Sequence, residues 1–263
     1  MENPLEAWRD TLKDLGVMGL LRPEFIESPE IQPLTPKGPG LAPSPRLALP
    51  PAVAPPYSPP TDPVGCPPEA MVAGAGTLGE LEKAIRGCLK CPLGPGRIRF
   101  VFGEGNPQAG LLFIGEGPGR DEDLLGRPFV GKAGELLDKM IGALGHSRET
   151  VYIANVVKCR PPDNRAPHPE EAKACLGYLR RQIELIQPKV IVTLGATPLK
   201  ELVGLKEGIT KVRGQWKRLE LGNRSIPVMP TFHPAYVLRQ YTQEVRRAVW
   251  ADLQAAKEEL DRA

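Results

Sequence analysis

LLFIGEGPGRDEDLLGRPFVGKAG, residues 111–134, is the stretch that decides the fold. Leu111 to Ile114 is an apolar run short enough for a strand buried on both faces, the mark of a parallel sheet. Gly115-Glu116-Gly117-Pro118-Gly119 follows at once. Glycine and proline together give a backbone that turns sharply and can lie close against a ligand. In open α/β sheets ligands bind just past the carboxyl ends of the strands, where this loop falls. An acidic patch, Asp121-Glu122-Asp123, comes next, then Arg127-Pro128-Phe129-Val130-Gly131, and a helix is expected from about Lys132 to Ala143. A glycine-rich loop alone also fits a plain strand-to-helix turn, so other residues must join it before it becomes a site.

The same pattern repeats downstream. Val151 to Val157, Val190 to Leu194 and Ile226 to Met229 read as three more core strands, and residues 98–102 as a further candidate. Helices are expected over Pro167–Ile186, over 197–203 and from about Gln243 to Leu260. Residues 209–220 suit a β-hairpin or an irregular insertion around Gly214. Upstream, Thr77-Leu78-Gly79-Glu80 carries the N-cap and N3 acid of a capping box, opening a helix to about Gly87. Strands alternating with helices predict an α/β fold, a parallel sheet covered on both faces.

Residues before Thr77 differ in kind. Residues 22–69 hold 16 of the chain's 31 prolines. Such a segment cannot bury enough apolar surface to offset its ordering entropy. The expected organisation is a short amphipathic helix within 1–21, a disordered Pro-rich linker over 22–76 and a catalytic domain over 77–263. Leu5, Trp8, Leu12 and Leu15 recur at helical spacing. That helix reads either as a docking element for a protein partner or as one packing on its own domain. Cys66, between Gly65 and Pro67, reads as a free thiol.

The formal charge of +3 conceals an asymmetry: residues 1–69 hold 5 basic and 9 acidic side chains, leaving 29 basic and 22 acidic ones beyond. A basic globular part is compatible with an anionic partner such as nucleic acid. No run of about 18 apolar residues occurs, so no membrane span is expected. The first ten residues lack the basic and apolar regions of a secretory signal, and a cytoplasmic protein is the simplest reading. The glycine-rich loop lacks a following Gly-Lys-Ser/Thr, which argues against a P-loop nucleotidase.

Four cysteines fall in two pairs, Cys88-x2-Cys91 and Cys159-x15-Cys175. In a cytosolic chain such a set suggests metal ligation more than disulfides. Four thiolates bind zinc tetrahedrally or hold an iron–sulfur cluster, and spacing alone does not separate the two. Ordinary buried thiols are the plain alternative. At the strand ends, Asn155 closes a strongly apolar run and His233 follows the last strand in a His-Pro turn. With Glu116 and Phe129 from the opening stretch, three strand ends deliver a loop, an amide and an imidazole to one side of the sheet. Singly, each has an ordinary structural explanation; their convergence is what points to a pocket.

These motifs resemble the family-four uracil-DNA glycosylases. Gly115-Glu116-Gly117-Pro118-Gly119 with Gly126-Arg127-Pro128-Phe129-Val130-Gly131-Lys132-Ala133-Gly134 is similar to that family's first motif. Asn155-Val156-Val157-Lys158-Cys159-Arg160-Pro161-Pro162-Asp163-Asn164-Arg165 resembles its middle segment, and His233-Pro234-Ala235-Tyr236-Val237-Leu238-Arg239 its last. The resemblance covers about residues 77–260. It implies a three-layer α/β/α sandwich around a four-stranded parallel sheet, with Cys88, Cys91, Cys159 and Cys175 holding a [4Fe–4S] cluster. The implied activity is hydrolysis of the N-glycosidic bond of deoxyuridine in DNA by a monomeric enzyme of base excision repair. Gly115 and Gly117 would shape the pocket, Phe129 would stack on an extruded uracil, and Asn155 would read its edge. His233 would donate to uracil O2 as charge develops there. Glu116 is the nearest candidate to position water, since Gly117 stands where related enzymes carry a carboxylate. Lys158, Arg160, Arg165, Tyr236 and Arg239 are the expected DNA contacts. A uracil-DNA binding protein of the same fold with little turnover is the alternative.

Overall fold

The structure, a computed structural model, describes Gly65 and residues 67–263. The expected amphipathic helix, most of the Pro-rich segment and Cys66 lie outside the described residues. Within the range expected to be linker, Glu69–Gly74 forms a short helix, α1. Helix α2, Leu78–Ile85, starts at the expected capping box: Thr77 Oγ1 accepts from the Glu80 amide, and Glu80 Oε2 accepts from the Thr77 amide.

The sheet has six strands: β1 Glu104–Gly105, β2 Leu111–Gly115, β3 Tyr152–Asn155, β4 Val190–Leu194, β5 Lys217–Leu221 and β6 Arg224–Thr231. Their spatial order is β1-β3-β2-β4-β6-β5. The four inner strands pair in parallel, while β1 and β5 add antiparallel edges. The expectation of a four-stranded parallel sheet is therefore corrected to a mixed sheet of six. The segment 98–102 is not a strand; Gly103 and Gly105 take positive φ (136° and 128°), and only two residues between and at them pair with β3. The 209–220 segment splits into a single helical turn, Ile209–Val212, and β5, which turns at Gly222 (φ 57°) into β6.

Side-chain alternation along the strands supplies two cores, one per face. Leu112 and Ile114 of β2 point into one, with Leu81 and Ile85 of α2, Leu179 and Ile183 of α5 (Pro169–Ile186) and Leu199 of α6 (Ala196–Val203). Leu111 and Phe113 point into the other, against Leu136 and Leu137 of α4 (Lys132–Ala143), Val237 of α7 (Pro234–Arg239) and Trp250 and Leu253 of α8 (Gln243–Arg262). Full burial of each such side chain contributes about 1.5–3 kcal/mol, and both layers of helices are needed to cover the sheet. The result is an α/β fold of three layers. Among the described residues no helix is long and apolar enough to cross a membrane.

Register fixes where chemistry can occur. Gly115 lies opposite Asn155, and Leu194 opposite Thr231. The carboxyl ends of all four inner strands thus reach one edge together, and the chain leaves it as Glu116, Val156, Gly195 and Phe232-His233.

Candidate active site

That edge opens into a cleft of about 720 Å³ whose lining includes Glu116, Gly117, Phe129, Asn155 and His233. Gly115 explains how its floor is assembled. A methyl group on Gly115 would lie 2.4 Å from Asn155 Oδ1 and 2.5 Å from Phe129 Cζ. Only a bare Cα lets the amide and the ring come so close to the end of β2. The Phe129 and His233 rings stack, 5.6 Å between centroids. The expected catalytic and base-binding residues are therefore in one place.

Asn155 is 2% exposed, and its Oδ1 is buried with no hydrogen-bond partner. Buried polar atoms are almost always satisfied, so an orphaned acceptor in a cleft marks a place for a ligand donor. The His233 ring is held in a definite state. Its Nδ1 accepts from the Ala235 amide at 3.1 Å, the first turn of α7. An accepting Nδ1 leaves the proton on Nε2, as a donor. Burial, with the Arg239 cation adding to it, pushes the imidazole pKa down to about 4, so the ring is neutral near pH 7. Glu116 Oε2 accepts from Thr197 Oγ1 at 2.5 Å, which orients the carboxylate from the start of α6. A Cβ on Gly117 would come within 2.6 Å of Val157 Cγ2, so the loop lies tightly over the end of β3.

Phe129 sits at φ 53°, a conformation that non-glycine residues rarely adopt. Two devices hold it there. Gly134 packs against the Phe129 carbonyl so closely that a Cβ would lie 1.8 Å from its oxygen. Arg148 donates to Phe129 O (2.9 Å) and Pro128 O (2.5 Å), and is itself anchored by Glu104 Oε1 and Asp138 Oδ1, each at 2.7 Å. Glu122 ties the two loops together: it accepts from Gly119, Val130 and Gly131 amides at 2.9–3.1 Å. Arg148, Glu122 and Thr197 were not singled out from sequence. Glu122 had a signal, its place three residues past the Gly119 N-cap. Arg148 had none, because its partners come from four separate positions.

The expected DNA contacts divide. Arg165, Tyr236 and Arg239 line the cleft. Arg165 also makes a bidentate pair with Glu171, both bonds 2.8 Å, and Tyr236 packs on Phe232 at 4.8 Å. Arg160 lies outside the lining and donates to Asn164 Oδ1 at 2.7 Å. Lys158 is a correction: it is 0% exposed, with Nζ donating to Asn155 O (2.9 Å) and Gln182 Oε1 (2.5 Å). It continues the buried run of β3 inward and cannot reach a phosphate.

Cys88, Cys91, Cys159 and Cys175 are free thiols, three of them buried. They share one locality. Burial pushes the Cys159 thiol up to about 11, with Cys91 and Cys88 adding to the rise; burial pushes Cys175 up to about 12, with Cys159 and Cys91 adding. Cys88 Sγ is 3.1 Å from the Tyr178 hydroxyl, and the Lys90 amide donates to Cys88 Sγ at 3.3 Å. Among the described residues no three Cys, His, Asp or Glu side chains are gathered to hold a single metal ion.

A cleft at the carboxyl edge of such a sheet, in a chain that also carries four free thiols, matches a known class. The family model of the uracil DNA glycosylase superfamily matches residues 102–254. Proteins named Type-4 uracil-DNA glycosylase are similar over most of their length. The one from Thermotoga maritima is 51% identical over 181 residues, 67% of this chain and 91% of that protein. That from Saccharolobus solfataricus is 46% identical over 67% of this chain and 83% of its own length, and that from Archaeoglobus fulgidus 43% over 67% and 89%. The chain belongs to the type-4 uracil-DNA glycosylases.

Proposed function

We propose that the protein is a DNA N-glycosylase that binds deoxyuridine extruded from DNA, hydrolyses its N-glycosidic bond and leaves an abasic site for base excision repair. The observation that carries this reading is the orphaned Asn155 Oδ1 at the cleft floor. It can accept from uracil N3–H while the amide nitrogen donates to O4. Cytosine presents the reverse pattern and leaves those groups unpaired, so it is rejected. Phe129 stacks on the base. Neutral His233, donating from Nε2, meets the negative charge that develops on uracil O2 as the bond breaks. Glu116, oriented by Thr197, holds the attacking water. Arg239, Tyr236, Arg165 and Arg160 face the DNA strand and fix its path.

The four free cysteines, which share one locality, suit the cluster that the resemblance implies. In a [4Fe–4S] cluster, iron and sulfide stand between the thiolates. Such a cluster would cross-link the turns after α2, the segment after Asn155 and α5; glycosidic hydrolysis itself moves no electrons. The test of function is an oligonucleotide with one uracil, incubated with protein and then treated with alkali. Strand scission and free uracil are expected. Scission no greater than that of His233→Ala removes the enzyme reading, and uracil-dependent binding without base release selects the binding-protein reading.

A further inference from the structure

Lys158 poses a problem that its hydrogen bonds do not solve. Its ammonium is fully buried, yet both acceptors, Asn155 O and Gln182 Oε1, are neutral. Arg97 repeats the pattern. It is 8% exposed, and its guanidinium donates to the carbonyls of Cys88 (2.6 Å), Gly94 (3.2 Å) and Arg86 (3.0 Å) and to Cys159 Sγ (3.5 Å). Among the described residues no carboxylate pairs with either. Other partly buried guanidiniums do have one: Arg148 with Glu104, Arg165 with Glu171, Arg213 with Asp252. An unpaired buried charge is strongly disfavoured, so a negative group must stand near both cations.

The four cysteines would supply that group once they are thiolate ligands of a cluster. Lys158 immediately precedes Cys159, and its Nζ bonds Gln182 on α5, the helix that also carries Cys175. Arg97 touches Cys159 directly. A four-iron core held by four thiolates carries about two net negative charges, and two buried cations flank its ligands. We propose that Lys158 and Arg97 are the internal counter-cations of the cluster, and that Lys158 is also a positioning residue that links the cluster to Asn155 through the Asn155 carbonyl. With the cluster in place, the ammonium has a reason to stay buried, and its bond to Asn155 O fixes the end of β3 under the base. Without it, Lys158 draws toward water and releases that strand end. The inference rests on the cluster assignment above.

The experiment uses the full chain, purified with its iron, in four forms: wild type, Lys158→Met, Arg97→Gln and Arg97→Lys. Iron and sulfide content, visible absorbance, reduction potential by film voltammetry and the KM for uracil-containing DNA are measured on each. A wild type that is colourless and iron-free overturns the cluster assignment, and the inference with it. Given a loaded wild type, both neutral variants are expected to shift the potential negative, because an anionic cluster robbed of a cation is harder to reduce. Arg97→Lys restores the charge and most of the potential. Lys158→Met, with iron retained, raises KM about tenfold. Unmoved potentials in the neutral variants, or the same shift in Arg97→Lys as in Arg97→Gln, overturn the counter-cation role while leaving the cluster standing. If Lys158→Met does not fold, the Arg97 pair still reads the charge. Gln182→Met, which removes an acceptor of Nζ, then reads the link to Asn155, and an unchanged KM there overturns it.

Discussion

Replacing Arg148 by Met removes a guanidinium that does not line the cleft yet holds the shape of its aromatic wall through the Phe129 carbonyl. Phe129 sits at φ 53°, and a non-glycine residue in that region costs about 1–2 kcal/mol. In the wild type the two carbonyl bonds from Arg148 offset that cost. In Arg148→Met the loop relaxes to negative φ, and binding a base must restore it. Drawing 1–2 kcal/mol from binding lowers kcat/KM by about 5- to 30-fold. In its proposed role Phe129 stacks on the base before and during bond cleavage, so the loss is expected mainly on KM, with kcat nearly kept. Global stability falls as well. The Arg148 side chain is 16% exposed, and losing its bonds to charged and carbonyl partners destabilises by about 2–4 kcal/mol. Glu104 keeps its second partner, Arg127 at 2.7 Å, which limits that loss. The assay is initial-rate uracil release over a range of oligonucleotide concentrations, with thermal unfolding measured on the same samples. A kcat/KM within twofold of wild type in a variant whose unfolding midpoint has dropped would refute the reasoning, since the clamp would then be broken without consequence for the base.

Three further outcomes are expected. Gly115→Ala places a methyl 2.4 Å from Asn155 Oδ1 and 2.5 Å from Phe129 Cζ; overpacking of this kind costs about 1–3 kcal/mol, and uracil release drops at least about tenfold in a protein whose circular dichroism is unchanged. For His233 the folded pKa of about 4 lies below the unfolded value of 6.5, so its stabilising contribution is complete above pH 6.5 and is lost as pH falls toward 4. That contribution is at most about 3 kcal/mol, read as a smaller pH dependence of urea unfolding in His233→Gln, and the rate profile should show no histidine limb near pH 6.5. A chain beginning at Gly65 should release uracil from short DNA as fast as the full chain, because every cleft residue lies beyond Pro67; a large loss of rate would show that the Pro-rich segment takes part.

How much of this was legible in the sequence depends on whether a residue's partners are near it in the chain. The inner strands were readable because β2, β3 and β4 are unbroken apolar runs, which only a sheet covered on both faces can bury. The edges were not. β5 exposes Arg218 and Glu220 and puts Lys217 on the same face as buried Leu219, and so polar a five-residue strand has no pattern that separates it from a loop. Asn155 and His233 stood out because polar side chains at the ends of apolar strands must face an edge. Lys158 misled for a related reason. Between Val157 and Arg160, in a segment rich in basic residues, it reads as surface charge, and a lysine is almost never fully buried without a partner. The partner that would have changed the reading is not a carboxylate. On the inference above it is the set of cysteines contributed by the turns after α2, the segment after β3 and α5, which the sequence shows only as scattered residues. A residue pointing outward in sequence logic turns inward in the fold, and the charge proposed to hold it belongs to a group assembled from three separate segments. Lys158 stands three residues past Asn155 and Cys159 four, so on the proposed assignments the residue that most resembled a DNA contact sits between the cluster and the base.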